Sequence, residues 1–146
     1  MNLFRSMEIS SSALTAQRYR MDVIGENVAN ATTTRTADGT PYQRKFVVFQ
    51  EKQEGYLFSN WLKVSQERMG GAGVRAVDMG VDKSPFKLVY EPEHPDANAD
   101  GYVEYPNVDI EKEMVDMIAA SRSYEANISV LNNYKNIAMK ALEIGK

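Results

Sequence analysis

A single histidine, His94, stands among Glu93, Asp96 and Asp100, and in a chain without cysteine these are the residues best able to do chemistry. A Ser-His-Asp arrangement needs a nucleophile at a recognisable distance from that imidazole, and the Pro92-Glu93-His94-Pro95-Asp96 turn supplies none. The three acids could offer oxygens to a hard cation, but they lack the alternate acidic positions, central glycine and closing glutamate of a calcium loop. A solvated loop accounts for them better. Gly70-Gly71-Ala72-Gly73 has the composition of a phosphate cradle without the Lys-Ser or Lys-Thr that completes one, so it reads as a hinge. Trp61 with Tyr56 and Phe58 could form an exposed aromatic patch, although a small core under the loops is the commoner use. No catalytic group, metal or cofactor is expected, and the chain reads as a non-enzyme; a metal-dependent hydrolase around His94 is the opposing reading.

Bulk properties narrow the classes further. The 146 residues suit one domain or a small domain with helical arms. A formal charge of −3 and an isoelectric point of 5.2 exclude a sequence-independent nucleic-acid binder, which needs clustered Lys and Arg to displace counterions from phosphates. The start, Met1 to Asp22, has no uninterrupted apolar run or small-residue cleavage site, so no cleaved leader is expected. Charges interrupt every apolar stretch before the roughly 18 residues of a membrane span, and a soluble, non-spanning protein is expected.

Those residues must be held by three segments. Phe4 to Val28 has no proline and its one glycine, Gly25, falls near the end; apolar residues recur at helical spacing, which predicts one helix roughly 35–40 Å long. Met7, Leu14, Met21 and Val28 fall seven apart on one stripe, whereas the offset row of Ser10, Gln17, Ile24 and Ala31 is weaker because its polar members need specific partners. Asn30 to Thr34 ends the helix, since Asn and Thr side chains compete for backbone hydrogen bonds. Residues 32–106 hold every proline and most glycines and read as β-rich. Asp38-Gly39-Thr40-Pro41 predicts a turn, followed by candidate strands at Tyr42–Phe49, Val74–Val81 and Phe86–Tyr90, with Gln50–Arg68 left unassigned.

The last segment, 107–146, is the clearest. Asp109 is a plausible N-cap, Glu111 and Glu113 suit the positive end of a helix dipole, and no glycine or proline interrupts the chain from Val108 to Ile144, giving a helix of roughly 50 Å. Ile110, Met117, Tyr124, Leu131 and Ala138 form one seven-residue row, and Met114, Ser121, Ile128, Lys135 and Leu142 the row beside it. In its second half Ile128, Val130, Leu131, Tyr134, Ile137, Ala138, Ala141, Leu142 and Ile144 make an apolar surface wider than a single stripe. Other chains are the expected cover, against the plainer arrangement in which the two terminal helices simply pair and fold onto the β-rich part. The organisation is thus a terminal helical domain from residues 1–31 and 107–146 around a β-rich middle domain, 32–106.

Both ends also resemble a known family. The runs Ile9 to Arg18 and Met21 to Thr32, with Asn27, Ala29 and Asn30 prominent, are similar to the N-terminal signature of bacterial flagellar rod and hook proteins. Pro106 to Asp109, Glu113 to Met117 and Ala120 to Asn127 are similar to its C-terminal counterpart. Asp38 to Tyr42, Leu88 to Pro92, His94-Pro95 and Gly101-Tyr102-Val103 narrow the resemblance to the short proximal-rod subunits, with distal-rod or hook subunits as the alternative.

The resemblance implies an α+β fold in which long terminal helices form an antiparallel coiled-coil pair beside a small β-rich middle. It implies a structural axial subunit without a cofactor, exported without a cleaved leader by the flagellar type III apparatus. Such subunits polymerise in the periplasm into the drive shaft of the basal body that carries torque to the hook. The partners so implied are further copies of the chain and other rod proteins, and contact with surrounding ring proteins stays open. Asn27 and Asn30 would hold the turn after the first helix, and Tyr124 and Asn127 would face its partner. The expected subunit-interface residues are Met7, Leu14, Met21, Ile24, Asn27, Val28 and Asn30 near the start. Near the end they are Met114, Met117, Tyr124, Asn127, Ile128, Leu131, Tyr134, Ile137, Ala138 and Leu142.

Overall fold

The computed structural model describes residues 3–52 and 73–144. Two helices, α1 (Leu3–Ala29) and α2 (Ile110–Ile144), flank four strands: β1 (Lys45–Glu51), β2 (Val74–Val81), β3 (Lys87–Tyr90) and β4 (Tyr102–Tyr105). This is the α+β architecture expected. The helices run antiparallel, since Asn27 meets Glu113 while Arg20, earlier on α1, meets Asp116, later on α2. β1 and β2 pair antiparallel and pack against α1, and β3 and β4 form a separate antiparallel hairpin.

Each boundary has a local cause. Asp109 caps α2 by accepting from the backbone of Glu111 at 3.1 Å. After α1, Asn30 donates to the Glu26 carbonyl at 2.9 Å and accepts from the Thr33 hydroxyl at 3.2 Å, which closes the turn. Gly39, at φ +77°, supplies the left-handed residue of the next turn.

The first strand begins three residues later than the expected Tyr42 because the backbone there bonds elsewhere: Tyr42 N–H goes to the Thr33 carbonyl and Arg44 N–H to the Asn107 side chain. It then continues past Phe49 through Gln50 and Glu51. β2 matches its expected span, with Val77 left without a partner between Asp78 and Ala76, a bulge that twists the pair. β3 begins one residue later than expected. β4 was not anticipated as a strand, although Tyr102-Val103-Glu104-Tyr105 alternates and buries Val103 completely. Trp61, Tyr56, Phe58 and residues 70–72 of the expected Gly70–Gly73 hinge lie outside the described residues.

The core is thin. Ala16, Val23 and Ile24 of α1, Tyr42, Val103, Val108 and Ala120 of α2 are its buried apolar members among the described residues.

Candidate assembly interface

The paired helices bury a stripe of α2 consisting of Glu113, Met117, Ala120, Tyr124, Asn127, Leu131, Tyr134 and Ala138, all buried or half-buried. Their spacing alternates four and three, the signature of a coiled-coil seam. Met117, Tyr124, Leu131 and Ala138 belong to the row expected from sequence. The second row is a correction: it runs one residue earlier than Met114, Ser121, Ile128, Lys135 and Leu142, through Glu113, Ala120, Asn127 and Tyr134. On α1 the emphasis also shifts. Met7, Leu14, Met21 and Val28 are half-buried at the margin, whereas Ser10 and Ile24 of the supposedly weaker row are buried. The Gln17 Oε1 of that row is shielded and without a hydrogen-bond partner among the described residues.

The physical reason for the shift is a buried polar knot at the closed end of the pair. The Glu113 carboxylate is fully buried. It accepts from Arg44 Nε at 2.7 Å and from Asn27 Nδ2 at 3.0 Å. Asn27 in turn accepts from the Tyr42 hydroxyl and from Lys45 N–H, each at 2.9 Å, and donates to the Lys45 carbonyl at 2.8 Å. Arg44 lies within 3.9 Å of Asp82 and 3.8 Å of Asp116, and Asp116 pairs with Arg20 at 3.1 Å. Asn107 locks the neighbouring loop by accepting from Arg44 N–H and donating to the carbonyls of Asp82 and Ser84. Burial, and then the charges of Glu26 and Glu113, push the Tyr42 phenol up to about 12, so it remains a donor to Asn27. The Asp82 carboxyl is held below its ordinary range, first by the hydroxyl and backbone N–H of Ser84 and then by Arg44.

Sequence reasoning placed Glu113 at the helix dipole and missed Arg44, Tyr42 and Asn107. A signal was present: extending the row Tyr134, Asn127, Ala120 back by one heptad lands on Glu113. An acid on a seam demands a buried partner.

Several apolar side chains of α2 lie uncovered beside the seam. Met114, Ile118 and Met139 are exposed on one flank of the seam and Val130 and Ile137 on the other, while Ile110, first in the seam row of Met117, is exposed at its start. The first-half patch around Met114 and Ile118 lies outside the half in which sequence located the broad surface. Leu142, on the same flank as Met114 and near the open end of the pair, is 77% exposed. Phe4, at the same open end, is 78% exposed. By contrast, the outer stripe of α1 is polar, with Glu8, Ser11, Thr15, Arg18 and Asp22 in solvent.

Among the expected interface residues, Ile24 and Asn27 are thus inside the chain and Asn30 holds the helix-end turn. Met117, Tyr124, Asn127, Leu131, Tyr134 and Ala138 lie on the seam, while Met114, Ile128, Ile137 and Leu142 are on the surface. Asn127 also donates to the Ser123 carbonyl of its own helix.

His94 accepts from Asp96 N–H within its turn, and Asp96 is held by Thr34 at 2.8 Å and Arg35 at 3.6 Å. Among the described residues no group of three His, Cys, Asp or Glu side chains is placed to hold a metal ion. No helix among them is long and apolar enough to cross a membrane.

Residues 7–35 match the family model described as flagella basal body rod protein, and residues 99–144 match the one described as flagellar basal body rod FlgEFG protein C-terminal. The flagellar basal-body rod protein FlgC of Bacillus subtilis is 49% identical, with both chains covered completely. Its counterpart in Borreliella burgdorferi is 46% identical over 99% of this chain and 98% of its own, and that of Escherichia coli O6:H1 is 42% identical over the whole of both. Spanning relatives of this identity from end to end, the chain belongs to the flagellar basal-body rod protein FlgC family.

Proposed function

We propose that the chain, a structural subunit of the flagellar basal-body rod, joins other rod proteins and further copies of itself through the uncovered faces of α2. The observation that carries this is the apolar surface on both flanks of a seam that α1 covers along one stripe only. Burying one such Ile, Leu, Met or Val contributes about 1.5–3 kcal/mol, so a handful per neighbour suffices for a stiff polymer of individually modest subunits. Two flanks require more than one neighbour.

In this reading the helices of residues 1–31 and 107–146 build the wall of a tube and residues 32–106 lie on its outside. Export by the type III apparatus without a cleaved leader, assembly in the periplasm and transmission of torque to the hook follow from the same reading. It is supported by the family and by the exposed α2.

The test is Ile137→Asp, and separately Leu142→Asp, in the full chain. Both variants are expected to keep the circular dichroism and melting temperature of the parent while failing to enter basal bodies, leaving cells without rods and non-motile. Normal rods and swimming in both would overturn the assignment of α2.

A further inference from the structure

A second uncovered surface lies away from the helices, on the hairpin of β3 and β4. Its register pairs Leu88 with Glu104 and Tyr90 with Tyr102, so these four share one face, while Val103 on the opposite face is completely buried. The shared face is open: Leu88 and Tyr90 are each 64% exposed and Tyr102 is more than two-fifths exposed. Its geometry is fixed, because the two tyrosine rings meet edge to face at 5.3 Å and Gly101, at φ +78°, turns the chain tightly beneath them. A Cβ at Gly101 would come within 3.0 Å of the Tyr90 ring.

Charge around the platform is mainly acidic, since Lys87 lies on the opposite face, where it donates to the Val108 carbonyl, and Arg35 in the adjoining cleft is paired with Asp96. Between Lys87 and Lys112 the chain carries Glu91, Glu93, Asp96, Asp100 and Glu104 and no Lys or Arg. Asp96 is met by Arg35 and Glu91 by the Tyr105 hydroxyl, but Glu93, Asp100 and Glu104 have no ion pair among the described residues. Glu104 and Tyr102 also line one wall of a cleft of about 350 Å³ beside the hairpin.

From this complementarity we infer that the outer face of the β3–β4 hairpin docks a basic segment of another protein. Aliphatic or aromatic side chains of that segment lie on Leu88, Tyr90 and Tyr102. An arginine of the segment stacks on a tyrosine ring and pairs with Glu104 at the mouth of the cleft. The contact is independent of the helical surface and would fix neighbours on the outside of an assembly.

The experiment uses the full chain and two labelled peptides, one alternating Arg and Leu and one with Glu in place of every Arg, read by fluorescence anisotropy. Saturable binding of the Arg peptide alone is expected. Affinity should fall at least tenfold in Tyr90→Ser and in Glu104→Lys, weaken with added salt and be unchanged in Ile137→Asp. Equal binding of both peptides, undiminished binding in Glu104→Lys, or loss in Ile137→Asp would overturn the proposal. So would sedimentation showing that the face pairs two copies of the chain and that Tyr90→Ser abolishes the pair.

Discussion

The fully buried carboxylate of Glu113 and the guanidinium of Arg44 show how a charge can be left inside a small protein and still specify its structure. Removing one partner leaves the other desolvated, which costs about 3–5 kcal/mol. Arg44→Met is therefore expected to lower unfolding free energy by about that amount, measured by urea denaturation of the full chain. The double variant Arg44→Met with Glu113→Leu is expected to recover most of the loss.

Tyr42 adds a pH dependence. In the unfolded chain a tyrosine loses its proton near its ordinary value of about 10, whereas the folded phenol keeps it up to about 12. The bonus from Tyr42 is complete below about pH 10 and disappears as pH rises through 12. Tyr42→Phe should remove that part of the alkaline decline in melts run between those limits, at the expense of one donor to Asn27. Gln17, with its shielded and unpartnered oxygen, predicts the opposite sign of change: Gln17→Met should stabilise the isolated chain by about 1 kcal/mol.

For whole elements, the two helices were legible because their length, uninterrupted composition and caps all point the same way. Boundaries came within a residue or two at Leu3–Ala29 and Ile110–Ile144. The exact face of α2 was not legible, because hydrophobicity alone ranks Met114 above Glu113 as a seam residue. Only the distant Arg44, supplied by the approach to β1, reverses that order. β4 was missed for a related reason: four residues make too short a period, and Val103 gains its burial from tertiary packing.

The division of α2 into a seam and two flanks is testable by a pair of substitutions. Leu131→Asp, on the seam, should destabilise the isolated chain by about 2–4 kcal/mol, whereas Val130→Asp, one residue away on the flank, should change it by less than about 0.5 kcal/mol and still prevent incorporation into rods. Thermal melts and purified basal bodies would read the two effects separately.

For the molecule as a whole, the chain is complete at one end of its helical pair and unfinished at the other. The closed end is tied by the polar knot, while Phe4 and Leu142 leave the open end apolar and in solvent. Because the uncovered flanks are apolar, assembled rods should resist about 1 M salt, where screening shortens the reach of charge to about 3 Å; electron microscopy of salt-washed rods would show it. The Glu113–Arg44 pin has a mechanical corollary. A pull directed along α2 can bring its side chains back into matching holes only after a slide of one heptad, about 10 Å. Midway the carboxylate is stranded in a dry interior without its counter-ion. Such a joint does not creep under load; it holds its setting until it gives way at once.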